Sequence, residues 1–179
     1  MSEIGEKYAQ ALYSLAKEVS AQAQILSELC SLNTAFCEEP EFLRLLSAHG
    51  LSKQERCGII DDSFRDRVHP YLLNFMKVLT EKGYVRHFGD CVKAYTQLYN
   101  DDHNIVRVHA VTAVPLSGQQ EDKLRMKLEK VTGKTVQLHT SVDAACLGGV
   151  RLDYDGKRVD GTVKNRLDSI GALLKNTVL

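Results

Sequence analysis

Asn-Asp-Asp-His-Asn-Ile-Val-Arg-Val-His-Ala-Val-Thr-Ala-Val-Pro, residues 100–115, is where two periodicities meet. Asn100 to Asn104 is a polar, turn-forming cluster. Beyond it, Ile105 to Val114 is rich in β-branched residues, with polar side chains at Arg107, His109 and Thr112, and Pro115 closes the run. That composition predicts a strand. Upstream, apolar residues recur at spacings of three and four, the period of a helix face. The break therefore predicts an α+β chain in two parts, a six-helix bundle over residues 1–103 and a small α/β domain over 104–179.

The first helix spans Ser2 to about Ser20 and puts Ile4, Tyr8, Ala11, Leu12, Leu15 and Val19 on one apolar face. A second carries Ile25, Leu26, Leu29, Leu32 and Phe36, and stops at Glu39-Pro40 because proline restricts the residue before it. Pro40 suits the first turn of a short third helix with Phe42, Leu43, Leu45 and Leu46, which ends at Gly50. Ser52-Lys53-Gln54-Glu55 is a capping-box pattern that starts a fourth, through Ile59, Ile60 and Phe64. His69-Pro70 opens a fifth bearing Leu72, Leu73, Phe75, Met76 and Leu79, with Gly83 as its stop. The sixth runs from about Val85 to Tyr99 with Phe88, Val92, Tyr95 and Leu98 inward, and short connections make the set an antiparallel bundle.

Downstream of the break, Ser117 and Gln120 cap a helix that turns Leu124, Leu128 and Val131 inward and ends at Gly133. Thr135 to His139 and Leu147 to Asp153 read as strands, and Asp155-Gly156 as a two-residue hairpin turn. A last helix from about Thr162 carries Val163, Leu167, Ile170 and Leu174. The order is β, α, β, β, β, α. A unit of this size is marginal by itself, so it is expected to lean on the bundle or on a partner.

Composition narrows the function. Hydrophobic residues at 44% and charged residues at 26% describe a chain that folds. Lys plus Arg is 23 and Asp plus Glu is 23, so no overall field favours nucleic acid or anionic lipid. No apolar run approaches the roughly eighteen residues of a bilayer span. The N-terminus has neither a secretory nor a transit-peptide profile, and a bacterial cytosolic location is expected. Cys30, Cys37, Cys57, Cys91 and Cys146 are scattered, without a CxxC pair, and are expected to be buried thiols.

No constellation points to catalysis. The histidines (His49, His69, His87, His103, His109, His139) are dispersed, with no spacing that places two ligands on one helix face. Leu147-Gly148-Gly149-Val150 invites a phosphate-loop reading, but lysine and a following helix are missing, and a bend entering a strand fits better. No catalytic residue, cofactor or metal is expected. The rival classes are a small enzyme using Cys146 and His139, and a helical nucleic-acid-binding regulator, which neutral charge disfavours. Tyr8, Ala9, Ala11, Leu12, Tyr13, Leu15 and Ala16 make the first helix apolar over more than one stripe. Core packing accounts for this, or else a groove into which a partner's amphipathic helix lays its apolar face.

Tyr8-Ala9-Gln10-Ala11-Leu12-Tyr13 resembles the opening YAxAL pattern of the δ subunit family of bacterial F-type ATP synthase, whose mitochondrial counterpart confers oligomycin sensitivity. Val111 to Ser117 is similar to that family's strand-to-helix junction. Val142-Asp143-Ala144-Ala145-Cys146-Leu147-Gly148-Gly149-Val150, followed by Asp160-Gly161-Thr162 and Arg166-Leu167, resembles its D-x-x-x-x-G-G and D-G-S/T-x-x-x-R-L segments. The resemblance implies a non-catalytic stator, a peripheral-stalk subunit that resists torque during proton-driven ATP synthesis. In it the helical part binds the N-terminal helix of an α subunit on the catalytic head, and the C-terminal part meets the membrane-anchored b subunits. It implies peripheral attachment at the cytoplasmic face of the bacterial cell membrane. Matching positions assign Tyr8, Leu12 and Val78 to the α-subunit groove, and Gly148, Gly149, Asp160 and Gly161 to shaping the hairpin and capping the last helix.

Overall fold

The computed structural model describes residues 2–47, 50–154, 156–163 and 165. The chain is α+β and forms two compact units, Met1–Asp102 and His103–Leu179.

The first unit holds α1 (Glu3–Glu18), α2 (Gln22–Glu38), α3 (Pro40–Leu46), α4 (Lys53–Phe64), α5 (Pro70–Glu81) and α6 (Phe88–Asp102). Helix starts are set by local chemistry. Ser2 Oγ accepts from the Gly5 N–H at 3.1 Å. Ser52 and Glu55 make both bonds of the capping box, at 3.2 and 2.7 Å. Pro70 occupies the first turn of α5, where its missing N–H costs nothing. Leu12, Ile25, Leu29, Ile60, Leu72, Leu79, Phe88 and Tyr95 fill the core. Phe36 gathers Phe42, Phe64 and Phe88 around it, with ring centroids 5.1–6.2 Å away. Where α1 crosses α6, a Cβ on Gly5 would lie 2.8 Å from the Asp90 Cβ, so the crossing requires glycine.

Three expectations change here. The sixth helix is preceded by a 3-10 turn at Val85–His87, and it continues through Asp102 instead of ending at Tyr99. Asp101 and Asp102 are helical because Asp102 is tied back to α1: it accepts from Tyr13 Oη at 2.9 Å and pairs with Lys17 Nζ at 2.7 Å. The core-facing row of α1 is Gly5, Ala9, Leu12, Tyr13 and Ala16, so Ala11, Leu15 and Val19 point outward. Cys30 and Cys37 on α2 are exposed and Cys57 is half-buried, leaving Cys91 and Cys146 as the buried thiols. Ile25, Leu29, Leu32 and Phe36 already fill the inward stripe of α2, which rotates its cysteines outward.

The second unit contains β1 (Ile105–Thr112), α7 (Gly118–Thr132), β2 (Thr135–Val142), β3 (Val150–Tyr154) and β4 (Lys157–Asp160) in a sheet of order β2-β1-β3-β4. β1 and β2 are parallel, joined through α7, and the other pairs are antiparallel. Val106, Val108 and Val136 form the core, with Leu128, Leu138, Leu152 and Tyr154 against them. Val131 is 84% exposed, against expectation, because Leu128 supplies the contact of the last turns of α7. β2 runs to Val142, held in register as far as Thr112↔Val142. β3 begins at Val150, since Leu147 (φ +59) and Gly149 (φ +82) turn the chain before it. Tyr154 pairs with Lys157, leaving a two-residue connection in which Gly156 has φ +71 and Asp155 lies outside the described residues. Leu167, Ile170 and Leu174 of the expected last helix also lie outside them.

Candidate functional site

The outer face of α1 is the first candidate. One apolar row, Ala9, Leu12, Tyr13 and Ala16, is consumed by the core. A second row is left over: Ile4 and Tyr8 are half-buried, Ala11 is exposed, and Leu15 and Val19 are 44% and 45% exposed. Residues three and four apart on a helix are neighbours, so this row is a continuous strip along α1. Tyr8 is braced by an edge-to-face contact with Tyr84, just after α5, at 5.9 Å. Val78 is half-buried on α5, which packs on α1. Leu12, at 2% exposure, is a core side chain and offers a partner no surface. The exposed apolar positions of this helix are Ala11, Leu15 and Val19; the signal that finds them is the excess width of the apolar face.

The strip is held on a stiff support. Tyr13 stacks edge-to-face on Tyr95 at 5.2 Å, and its hydroxyl reaches Asp102. Burial, then Asp102, pushes the Tyr13 hydroxyl pKa upward, so it stays a donor at any ordinary pH. Asp90 beneath the start of α1 is held below the usual carboxylate range, first by the Ser2 hydroxyl and then by His87.

The glycine and aspartate positions of the second unit meet in one place. Gly149 (φ +82) would put a Cβ 2.5 Å from the Gly161 carbonyl oxygen, and a Cβ on Gly161 would lie 3.2 Å from the Val150 carbonyl oxygen. The Gly161 N–H donates to that Val150 oxygen at 3.1 Å and the Val163 N–H donates to the Gly148 oxygen at 3.0 Å. Asp160 Oδ1 accepts from the Thr162 N–H at 2.9 Å and from the Thr162 hydroxyl at 2.7 Å. Thr162 Oγ1 in turn accepts from the Asn165 N–H at 3.2 Å, as a helix cap does. Two backbone segments thus touch where a side chain would part them; no anion cradle opens there.

Cys146 is buried at the end of the 3-10 turn Ala144–Cys146, His139 lies exposed on β2, and no hydrogen bond joins them among the described residues. No group of three or more His, Cys, Asp or Glu side chains is placed to hold a metal ion among the described residues. Nor, among them, is any helix long and apolar enough to cross a membrane.

Residues 4–174 match the family described as ATP synthase delta (OSCP) subunit. ATP synthase subunit delta of Alkaliphilus oremlandii (strain OhILAs) is 36% identical over 164 residues, covering 92% of this chain and 91% of that one. ATP synthase subunit delta of Clostridioides difficile (strain 630) is 30% identical over 176 residues, covering 98% and 97%. In fold, the chain is similar to one in the cryo-EM structure of the Toxoplasma gondii mitochondrial ATP synthase hexamer, with TM-score 0.71 and 21% identity over 97% of this chain and 98% of that one. With a family match over almost its full length and relatives at this identity, the chain belongs to the ATP synthase delta (OSCP) subunit family.

Proposed function

We propose that this chain is the upper joint of a peripheral stalk in an F-type ATP synthase, tying the catalytic head to membrane-anchored b subunits and catalysing no step itself. A rotary enzyme turns a central shaft inside its head, so the head needs a second connection that resists the torque. The helical unit supplies one grip: the row Ile4, Tyr8, Ala11, Leu15 and Val19 receives the apolar face of the α-subunit N-terminal helix, with Val78 on α5 beside it. The second unit supplies the other grip, toward the b subunits. The complex then carries the chain peripherally at the cytoplasmic face of the bacterial cell membrane.

The observation that supports this most is the unfilled apolar row on α1. A leucine moved from water to a buried contact gains about 1.5–3 kcal/mol, so two or three such anchors supply a large part of the roughly 12 kcal/mol of a nanomolar grip. The test is depletion and return. Membranes stripped of this subunit are expected to lose coupled ATP synthesis and regain it when the purified chain is added back; a return of coupling without the chain overturns the proposal.

A further inference from the structure

The neutral charge of the whole chain hides a division. Met1–Asp102 carries 11 Lys and Arg against 15 Asp and Glu, whereas His103–Leu179 carries 12 against 8, so the two units stand at −4 and +4. Part of that basic charge lies on one face of the sheet. Pairing register puts His139 of β2, His109 of β1, Asp153 of β3 and Arg158 of β4 in one row across all four strands. Arg107 lies two residues from His109, on the same face. Arg107, His109, His139 and Arg158 are all exposed there, and with Lys157 at the edge they border an open recess of about 540 Å³. The one acid in the row is already spent, since Asp153 Oδ1 accepts from Arg158 Nε at 2.6 Å. Among the described residues, Arg107 donates its Nε to Gln137 at 3.3 Å.

We infer that this face docks an acidic segment of a partner protein, whose Asp and Glu carboxylates are taken by Arg107, Arg158 and the two histidines. The recess is open and bordered by charged side chains, unlike the enclosed pockets that hold small molecules. Opposed charge across a shallow, wet face suits protein docking and fixes its register. The inference rests on the stalk reading only for which chain brings the acidic segment.

The test uses the full chain labelled with nitrogen-15 and titrated with a twelve-residue oligoglutamate peptide. Amide shifts are expected to centre on Arg107, His109, His139 and Arg158, with affinity falling about tenfold when screening shortens the reach of charge between low salt and roughly 0.3 M. Arg107→Glu with Arg158→Glu is expected to abolish them, and Arg107→Gln with Arg158→Gln, which adds no repulsion, to weaken them about tenfold. Shifts centred elsewhere, no shifts, or shifts only with phosphatidylglycerol vesicles overturn the inference. A second arm rebinds the chain to stalk-stripped enzyme. If the wild type fails there, the stalk reading falls and the peptide titration alone decides the docking face. If wild type and charge-reversed chains rebind equally, the docking face falls and the stalk reading stands.

Discussion

Tyr13 donates its hydroxyl to Asp102 across 89 positions of sequence, and that bond at 2.9 Å fastens the end of α6 to the middle of α1. Lys17 closes the same carboxylate from the other side at 2.7 Å. Tyr13→Phe removes one hydrogen bond while leaving the ring stack on Tyr95. It is expected to cost about 1 kcal/mol in urea unfolding. Asp102→Ala strands both the Tyr13 hydroxyl and Lys17, and is expected to cost more; an Asp102→Ala variant as stable as wild type contradicts the assignment.

Gly149→Ala sets a Cβ against the Gly161 carbonyl at a backbone angle that side chains avoid. The expected loss is about 2–3 kcal/mol, seen as a lower melting temperature of the second unit. Gly156, also at positive φ but with open space where its Cβ would go, is expected to tolerate alanine at a smaller cost of roughly 1 kcal/mol.

Acid is expected to loosen the fold. Asp61 beside Lys77, Asp90 beside Ser2, Asp153 beside Arg158 and Asp160 beside Thr162 all have carboxyl pKa values held below the ordinary range. Such groups bind protons less readily folded than unfolded, so their contribution is complete above the unfolded value of about 4 and is lost as pH falls through the lower folded values. Urea midpoints are expected to hold steady from about pH 7 to 5 and to drop below about 4. A midpoint unchanged at about pH 3 contradicts this origin.

Thiol chemistry separates the five cysteines. Cys30 and Cys37 are expected to react rapidly with a thiol reagent in the folded chain. Cys57 is expected to lag, because burial and then Glu81 raise its pKa. Cys91, pushed up to about 11 by burial, is expected to react only on unfolding, as is the buried Cys146. Mass spectrometry after a short pulse of reagent reads the order.

The helix boundaries were largely legible because local chemistry sets them: Ser52 and Glu55, Pro70 and Gly133 each act within a few residues. What escaped the sequence depends on distant residues. Asp102 reads as part of a turn until Tyr13 and Lys17 arrive from the other end of the unit. Periodicity cannot tell Leu12 from Leu15, since both belong to one wide apolar face and only the packing decides which row is buried. The same holds for Cys30 and Cys37, whose apolar surroundings in sequence lie on a helix flank that faces water. Register across four strands, which assembles His139, His109, Asp153 and Arg158, has no trace in any single segment.

The central claim is that the outward row of α1 grips a partner's helix, and calorimetry with a synthetic peptide of the α-subunit N-terminal helix tests it most directly. Leu15→Asp, at an exposed position, and Tyr8→Asp are the variants, each checked for an unchanged melting temperature. The account predicts saturable binding to the wild type and at least about a tenfold loss with Leu15→Asp, equivalent to roughly 1.4 kcal/mol. Equal affinity for the wild-type and Leu15→Asp chains, with both folded, contradicts it.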